Sequence, residues 1–119
     1  MFLFQKNCLV LAPSGSKRDR FVCAVALSFI ERLIGFYRST EVQAIFFPRC
    51  RTLHSFGLSQ TLQVLFLDGD GVVLLVVNQF RPWSRLVHQN AMHAIELVSP
   101  VSVAIGDRIV FEKINLTNR

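Results

Sequence analysis

A thiol, an imidazole and a hydroxyl stand close together in Cys50-x-x-x-His54-Ser55-x-Gly57, a grouping that could support nucleophilic chemistry. Arg49 and Arg51 flank Cys50, and nearby positive charge favours the thiolate. In that reading Cys50 attacks and His54 serves as base, in thiol or acyl chemistry, although no third orienting group is evident. The same pair, with His88 and His93 later in the chain, supplies zinc-ligand types but lacks the paired spacing of a zinc finger. The competing reading makes Cys50 a small packing residue and the histidines hydrogen-bonded or surface groups.

A second patch, Arg81-Pro82-Trp83-Ser84-Arg85, combines two guanidinium groups with a stacking face, suited to a planar carboxylate or phosphate. Alternatively Trp83 caps the core beneath a loop while the arginines are solvated. Lys17-Arg18-Asp19-Arg20, together with Arg49 and Arg51, could draw phosphates, anionic lipid or an acidic partner, or could act as a solubilising surface. The aromatics do not interleave with these bases as on a single-strand stacking platform. Asp68-x-Asp70-Gly71 has the opening of a calcium loop, but Val72, Val73 and Leu74 follow at once with no closing glutamate. A hairpin turn that uses glycine for positive φ accounts for the same residues. There is no glycine-rich phosphate loop, no Gly-x-Ser-x-Gly elbow and no dinucleotide fingerprint.

These residues must be held by the elements around them. Leu62 to Leu67 and Val72 to Val77 are apolar runs without alternation, so both faces of the hairpin they form should be covered. Pairing them around Asp68–Gly71 brings the His54 and Trp83 patches together at the open end. Further strands are expected over Cys8 to Leu11, Phe21 to Leu27, Ala44 to Phe47, Ala94 to Val98 and Arg108 to Ile114. Turns are expected at Pro13–Ser16 and Ile105–Asp107. Ser28 and Glu31 have capping-box spacing, and Phe29, Ile30, Leu33, Ile34 and Tyr37 recur at helical intervals. One principal helix is therefore expected from about residue 29 to 38. The fold class is mainly β: a small antiparallel sandwich or partly open barrel with one principal helix, in a single domain over 1–119 with its core at about 7–114.

Composition bounds the rest. Of 119 residues 51% are apolar and 11 are phenylalanine, so one hydrophobic core is readily built. No apolar run reaches the roughly 18 residues of a membrane-spanning helix. The first residues place Lys6 after apolar Phe2 to Phe4, the reverse of a secretory signal, and a cytoplasmic location is expected. Three cysteines, Cys8, Cys23 and Cys50, form no framework and read as free thiols.

Taken together, Glu31-Arg32-x-x-Gly35-Phe36-x-Arg38, His54-Ser55-Phe56-Gly57-Leu58, Phe66-Leu67-Asp68-x-x-Gly71, Arg81-Pro82-Trp83, Ala94-Ile95-Glu96-Leu97 and Gly106-Asp107 resemble the domain-of-unknown-function 192 family. The ordered matches run from about residue 21 to 111. This resemblance implies a small β-rich sandwich or partly open barrel with a helix across it, found in bacteria and archaea and without an established activity. The family pattern usually has Met at Leu58, Pro at Thr61, Asp at Gln63, Leu-Met at Phe36-Tyr37, and Gly near Ser99 or Pro100. Without a carboxylate at 63 or a thioether at 58, any site those groups would form is weakened.

The expected function is a non-enzymatic binding or accessory domain. Its polar edge, His54, Ser55, Gln63, Arg81, Trp83 and Arg85, would take an acidic peptide or small carboxylate. The partner is then a protein or small anionic ligand, with no cofactor and no metal, on a monomer or homodimer. The alternatives are the Cys50–His54 enzyme and a weak nucleic-acid or anionic-surface binder using Lys17, Arg18, Arg20, Arg49 and Arg51.

Overall fold

The computed structural model describes residues 5–26, 43–55 and 60–112. They form nine strands: β1 (Gln5–Leu11), β2 (Lys17–Val25), β3 (Ala44–Phe47), β4 (Thr52–His54), β5 (Leu62–Leu67), β6 (Val73–Phe80), β7 (Arg85–Val87), β8 (His93–Leu97) and β9 (Arg108–Phe111). Seven make one sheet in the order β6-β5-β8-β3-β2-β1-β9, and β4 pairs with β7 in a small second sheet. Neighbours are antiparallel except β2 and β3, which run parallel. The expected helix at about 29 to 38 lies outside the described residues, and the described residues contain no helix. No helix among them is long and apolar enough to cross a membrane.

The large sheet curls into a half-barrel. Phe46 on β3 and Phe111 on β9 are three strands apart in sheet order. A flat sheet would separate them by about 14 Å, yet their ring centroids are 5.3 Å apart. The face that carries them is therefore concave. It buries Val10, Phe21, Cys23, Leu65, Leu67, Ile95 and Leu97. The convex face buries Ile45, Phe47, Val64, Phe66 and Ala94, with Leu53 of β4 and Leu86 of β7 packed against them. Each residue of β5 is buried, Gln63 included, because the sheet is covered on both sides there. Edge strand β6 is only half-buried from Leu74 to Val77, short of the full cover that its similar composition suggests.

The sheet edges meet at one bridge, Val72 to Arg108. There the Ile109 N–H donates to the Gly71 carbonyl (2.9 Å) and the Val73 N–H to the Asp107 carbonyl (2.8 Å). The link from β8 to β9 then crosses the concave side as a strap from β5 to β2. Gln63 on β5 holds its start, accepting from the Val101 N–H (2.9 Å) and donating to the Val101 carbonyl (3.1 Å). Asp19 on β2 accepts the Ser102 N–H at 2.7 Å. Asp107 accepts the Ala104 N–H (2.8 Å) and two N–H groups of Arg18 (2.7 and 3.2 Å).

The turn at Asp68–Gly71 forms as its composition predicts. The Asp68 carboxylate accepts the N–H groups of Asp70 and Val72, each at 2.9 Å. Gly71 has φ of +85°, and a Cβ there would stand 2.6 Å from the Ile109 carbonyl oxygen. Both the backbone angle and the contact with β9 exclude a side chain. Gly71→Ala is expected to cost about 1–3 kcal/mol in urea unfolding. Gly69→Ala, with nothing within 4 Å of its Cβ, should differ little from the parent. Equal stability of the two variants would refute this account of the turn.

Candidate functional site

At the far end of the β5–β6 hairpin, Leu62 pairs with Phe80, and the chain passes directly into Arg81. Beside it β4 and β7 pair Thr52 with Val87, Leu53 with Leu86 and His54 with Arg85. Leu53 and Leu86 face the convex core, so strand alternation turns His54 and Arg85 outward. Neither three-residue strand has enough alternation to be recognised from sequence, which is why β4 and β7 were not expected.

Ser55 joins the two patches. Its N–H donates to the Ser84 carbonyl (3.0 Å), and its carbonyl accepts the Trp83 N–H (3.0 Å). Its hydroxyl donates to the Arg81 carbonyl (2.6 Å) and accepts the Ser84 N–H (2.8 Å). These bonds hold the 81–84 turn with Trp83 at φ of +60°. A non-glycine residue in that region costs about 1–3 kcal/mol and persists only where its surroundings determine it. Trp83 nevertheless remains 71% exposed, so it does not cap the core.

Two members of the expected edge site are placed differently from the other four. Ser55 is fully buried and its hydroxyl is engaged by the turn backbone. Gln63 is 2% exposed and faces the concave side, where its carboxamide fastens the strap at Val101 and also donates to Asn78 at 3.0 Å. The expectation that Gln63 lines a surface edge is therefore corrected: neighbouring Leu62 and Val64 face the convex core, and alternation sends Gln63 the other way. The exposed members are His54, Arg81, Trp83 and Arg85.

Cys50 is 9% exposed within the convex core, and its thiol donates to the Thr52 carbonyl at 3.2 Å. His54 lies on the outward face of β4. Cys8 and Cys23 face each other on the concave side with sulfurs 3.2 Å apart. Their mutual hydrogen bond, reinforced by burial, pushes the Cys8 thiol pKa up, and both side chains are fully buried in the concave core. His88 packs on Phe66 and His93 on Phe46, residues of opposite sheet faces. Among the described residues no three metal-ligating side chains are grouped. Of the basic cluster, Arg18 pairs with Asp107 and Arg20 with Glu112, while Arg51 donates to the Ala91 carbonyl at 3.1 Å.

Two solved structures share this architecture. A candidate transcription regulator from Sinorhizobium meliloti 1021 superimposes with a TM-score of 0.78 at 17% identity, over 93% of this chain and 96% of that one. A protein of unknown function from Novosphingobium aromaticivorans DSM 12444 gives 0.69 at 18% identity, over 87% and 83%. The likeness is one of fold. No family model matches the chain, and no curated protein does.

Sequence reasoning missed two features. Glu96 on β8 is 5% exposed, lies between Ile45 and Val64 in register, and its Oε2 has no hydrogen-bond partner among the described residues. The concave mouth near Phe46 and His93 gathers residues from strands remote in sequence, and no local signal foretells it.

Proposed function

We propose that this protein is a small β-rich binding or accessory domain whose polar edge, His54, Arg81, Trp83 and Arg85, takes an acidic peptide or small carboxylate. One observation carries the reading: Trp83 is held in a left-handed conformation by the Ser55 bonds and yet left 71% exposed. A pre-ordered exposed tryptophan flanked by arginines is the usual composition of an interface anchor. Arginine supplies two-pronged bonds to carboxylates, and the indole supplies a flat face at low entropic cost. The ordered motifs shared with the domain-of-unknown-function 192 family support the same reading of the fold, and we include that membership in the proposal.

The chain contains one tryptophan, so its fluorescence reports on this edge alone. Titration with a hexaglutamate peptide, and separately with succinate, is expected to change the emission saturably and to weaken with added salt. Arg81→Ala should reduce the affinity about tenfold, the loss of one charge-assisted pair. No saturable change with either probe, or equal affinity for the Arg81→Ala protein, would rule out the site.

Nucleic-acid binding is the second reading, prompted by the regulator among the similar folds. The pairing of Arg18 and Arg20 with carboxylates counts against it. Retention of duplex DNA at low salt, lost steeply as salt rises, would reinstate it.

A further inference from the structure

We propose that the concave mouth of the half-barrel, bounded by Phe46, His93, Phe111 and the Asp68–Gly71 turn, binds a neutral single-ring aromatic compound carrying one polar substituent. This site is separate from the Trp83 edge. It opens at the end of the hairpin that carries the turn, whereas Trp83 follows the end where Leu62 meets Phe80.

Size comes first. The mouth is a half-open recess of about 180 Å³, and a closed apolar cavity of about 150 Å³ is enough for a benzene ring. Its apolar walls are Phe46, Leu67, Ile109 and Phe111, all on the concave face, with Asp70 and His93 as the polar part of the lining, and mouths of β-barrels are common ligand sites. The walls are also aromatic in a definite arrangement. His93 lies 5.1 Å from Phe46 at 38°, and Phe111 lies 5.3 Å from it at 77°. Aromatic pairs favour such tilted and edge-to-face geometries over centroid distances of about 4.5–7 Å, so a further ring extends the set. Phe111 is 43% exposed, which leaves apolar ring surface for a ligand to cover.

The polar groups define the substituent. His93 Nδ1 accepts the Arg49 N–H at 3.2 Å, so in the neutral ring Nε2 carries the hydrogen and is a donor. Burial, and then the charge of Arg49, lower the His93 pKa from 6.5 against the opposing pull of Asp68, which keeps the imidazole neutral at pH 7. Asp70 on the lip offers an acceptor. Around the mouth, Asp68 and Asp70 are balanced by Arg49 and by Arg108 beside Gly71. With two carboxylates and two guanidinium-bearing residues around the mouth, the formal charges cancel, and an uncharged ligand that both accepts and donates one hydrogen bond fits better than an ion. A phenolic or similar hydroxyl meets that requirement. The lip is already set by the Asp68 carboxylate bonds and by the Gly71–Ile109 bond, so binding orders little.

The test is a titration of the ¹⁵N-labelled protein with phenol, followed by two-dimensional NMR, with cyclohexanol as the non-aromatic control. Saturable shifts confined to Gly69–Gly71, His93 and Phe111 are expected, with a Kd on the order of 1 mM, the range open to so small a ligand. Phe111→Ala should weaken phenol about fivefold, the value of one aromatic contact, while the spectrum itself verifies the fold. Trp83→Ala should leave phenol binding unchanged, so this site and the proposed edge can fail independently. Absence of saturable shifts, or cyclohexanol binding as tightly as phenol, would overturn the proposal.

Discussion

Asp107→Ala is expected to lower the unfolding free energy by about 1–3 kcal/mol, the usual cost of removing a buried acceptor from charge-assisted and backbone hydrogen bonds. Asp107 is 1% exposed, and its carboxylate receives both Arg18 contacts and the Ala104 N–H. Its removal leaves the Arg18 guanidinium, 39% exposed, to return to water, but unfastens the strap where it turns into β9. The same backbone joins the sheet edges, since the Asp107 carbonyl accepts the Val73 N–H. Against a total stability of about 5–15 kcal/mol for a domain, such a loss is large. Asp107→Asn keeps an acceptor for Ala104 and should cost less. Urea unfolding at pH 7 measures both, and an alanine variant within about 0.5 kcal/mol of the parent, the range of ordinary surface changes, would contradict the fastening role.

Glu96 provides the second large effect, and it depends on pH. Burial between the flanking Ile45 and Val64 pushes its pKa from 4.5 up to about 8. Because the folded-state pKa is the higher one, the favourable contribution is complete below pH 4.5, where both states are protonated. Between 4.5 and 8 the unfolded chain ionises while the folded protein keeps its proton, so stability falls by up to about 1.4 kcal/mol per pH unit. Above pH 8 the loss is complete and the term is flat. Glu96→Gln has nearly the same shape and no titration. The stability difference between variant and parent should therefore move by roughly 5 kcal/mol in the variant's favour from pH 4.5 to pH 8. Denaturation midpoints across that range make the comparison, in which other titrating groups cancel. Parallel pH profiles would show that Glu96 ionises freely in the folded protein.

Both residues illustrate the limits of local reading. Glu96 sits in His93–Leu97, a segment legible as a strand, and a carboxylate there would ordinarily be assigned to the solvent face. It is buried because the convex side of the sheet is covered, which no residue within the strand announces. Gln63 shows the same limit from the opposite direction. Its neighbours mark a buried strand, but whether its own side chain meets solvent or the strap depends on the 98–107 segment, 38 residues further along at Val101. The edge was legible only in outline: the Leu62–Phe80 pairing returns Arg81 to the start of β5, but the bonds of Ser55 to Arg81 and Ser84 also need the β4–β7 pairing. Trp83's exposure, by contrast, depends on the left-handed turn that Ser55 imposes.

From sequence alone come the apolar runs that become β5 and β6, the Asp68–Gly71 turn, most other strands, and the meeting of the two polar patches at the open end. These are determined by neighbours along the chain: side-chain alternation, glycine's access to positive φ, and the short reach of a hairpin. The parallel pairing of β2 with β3, the curl that brings Phe111 onto Phe46, the strap held by Gln63 and Asp107, and the burial of Glu96 belong to tertiary structure. Alternation divides a strand into two faces but does not say which face will be covered. That is decided by how far the whole sheet curls and what then packs across it.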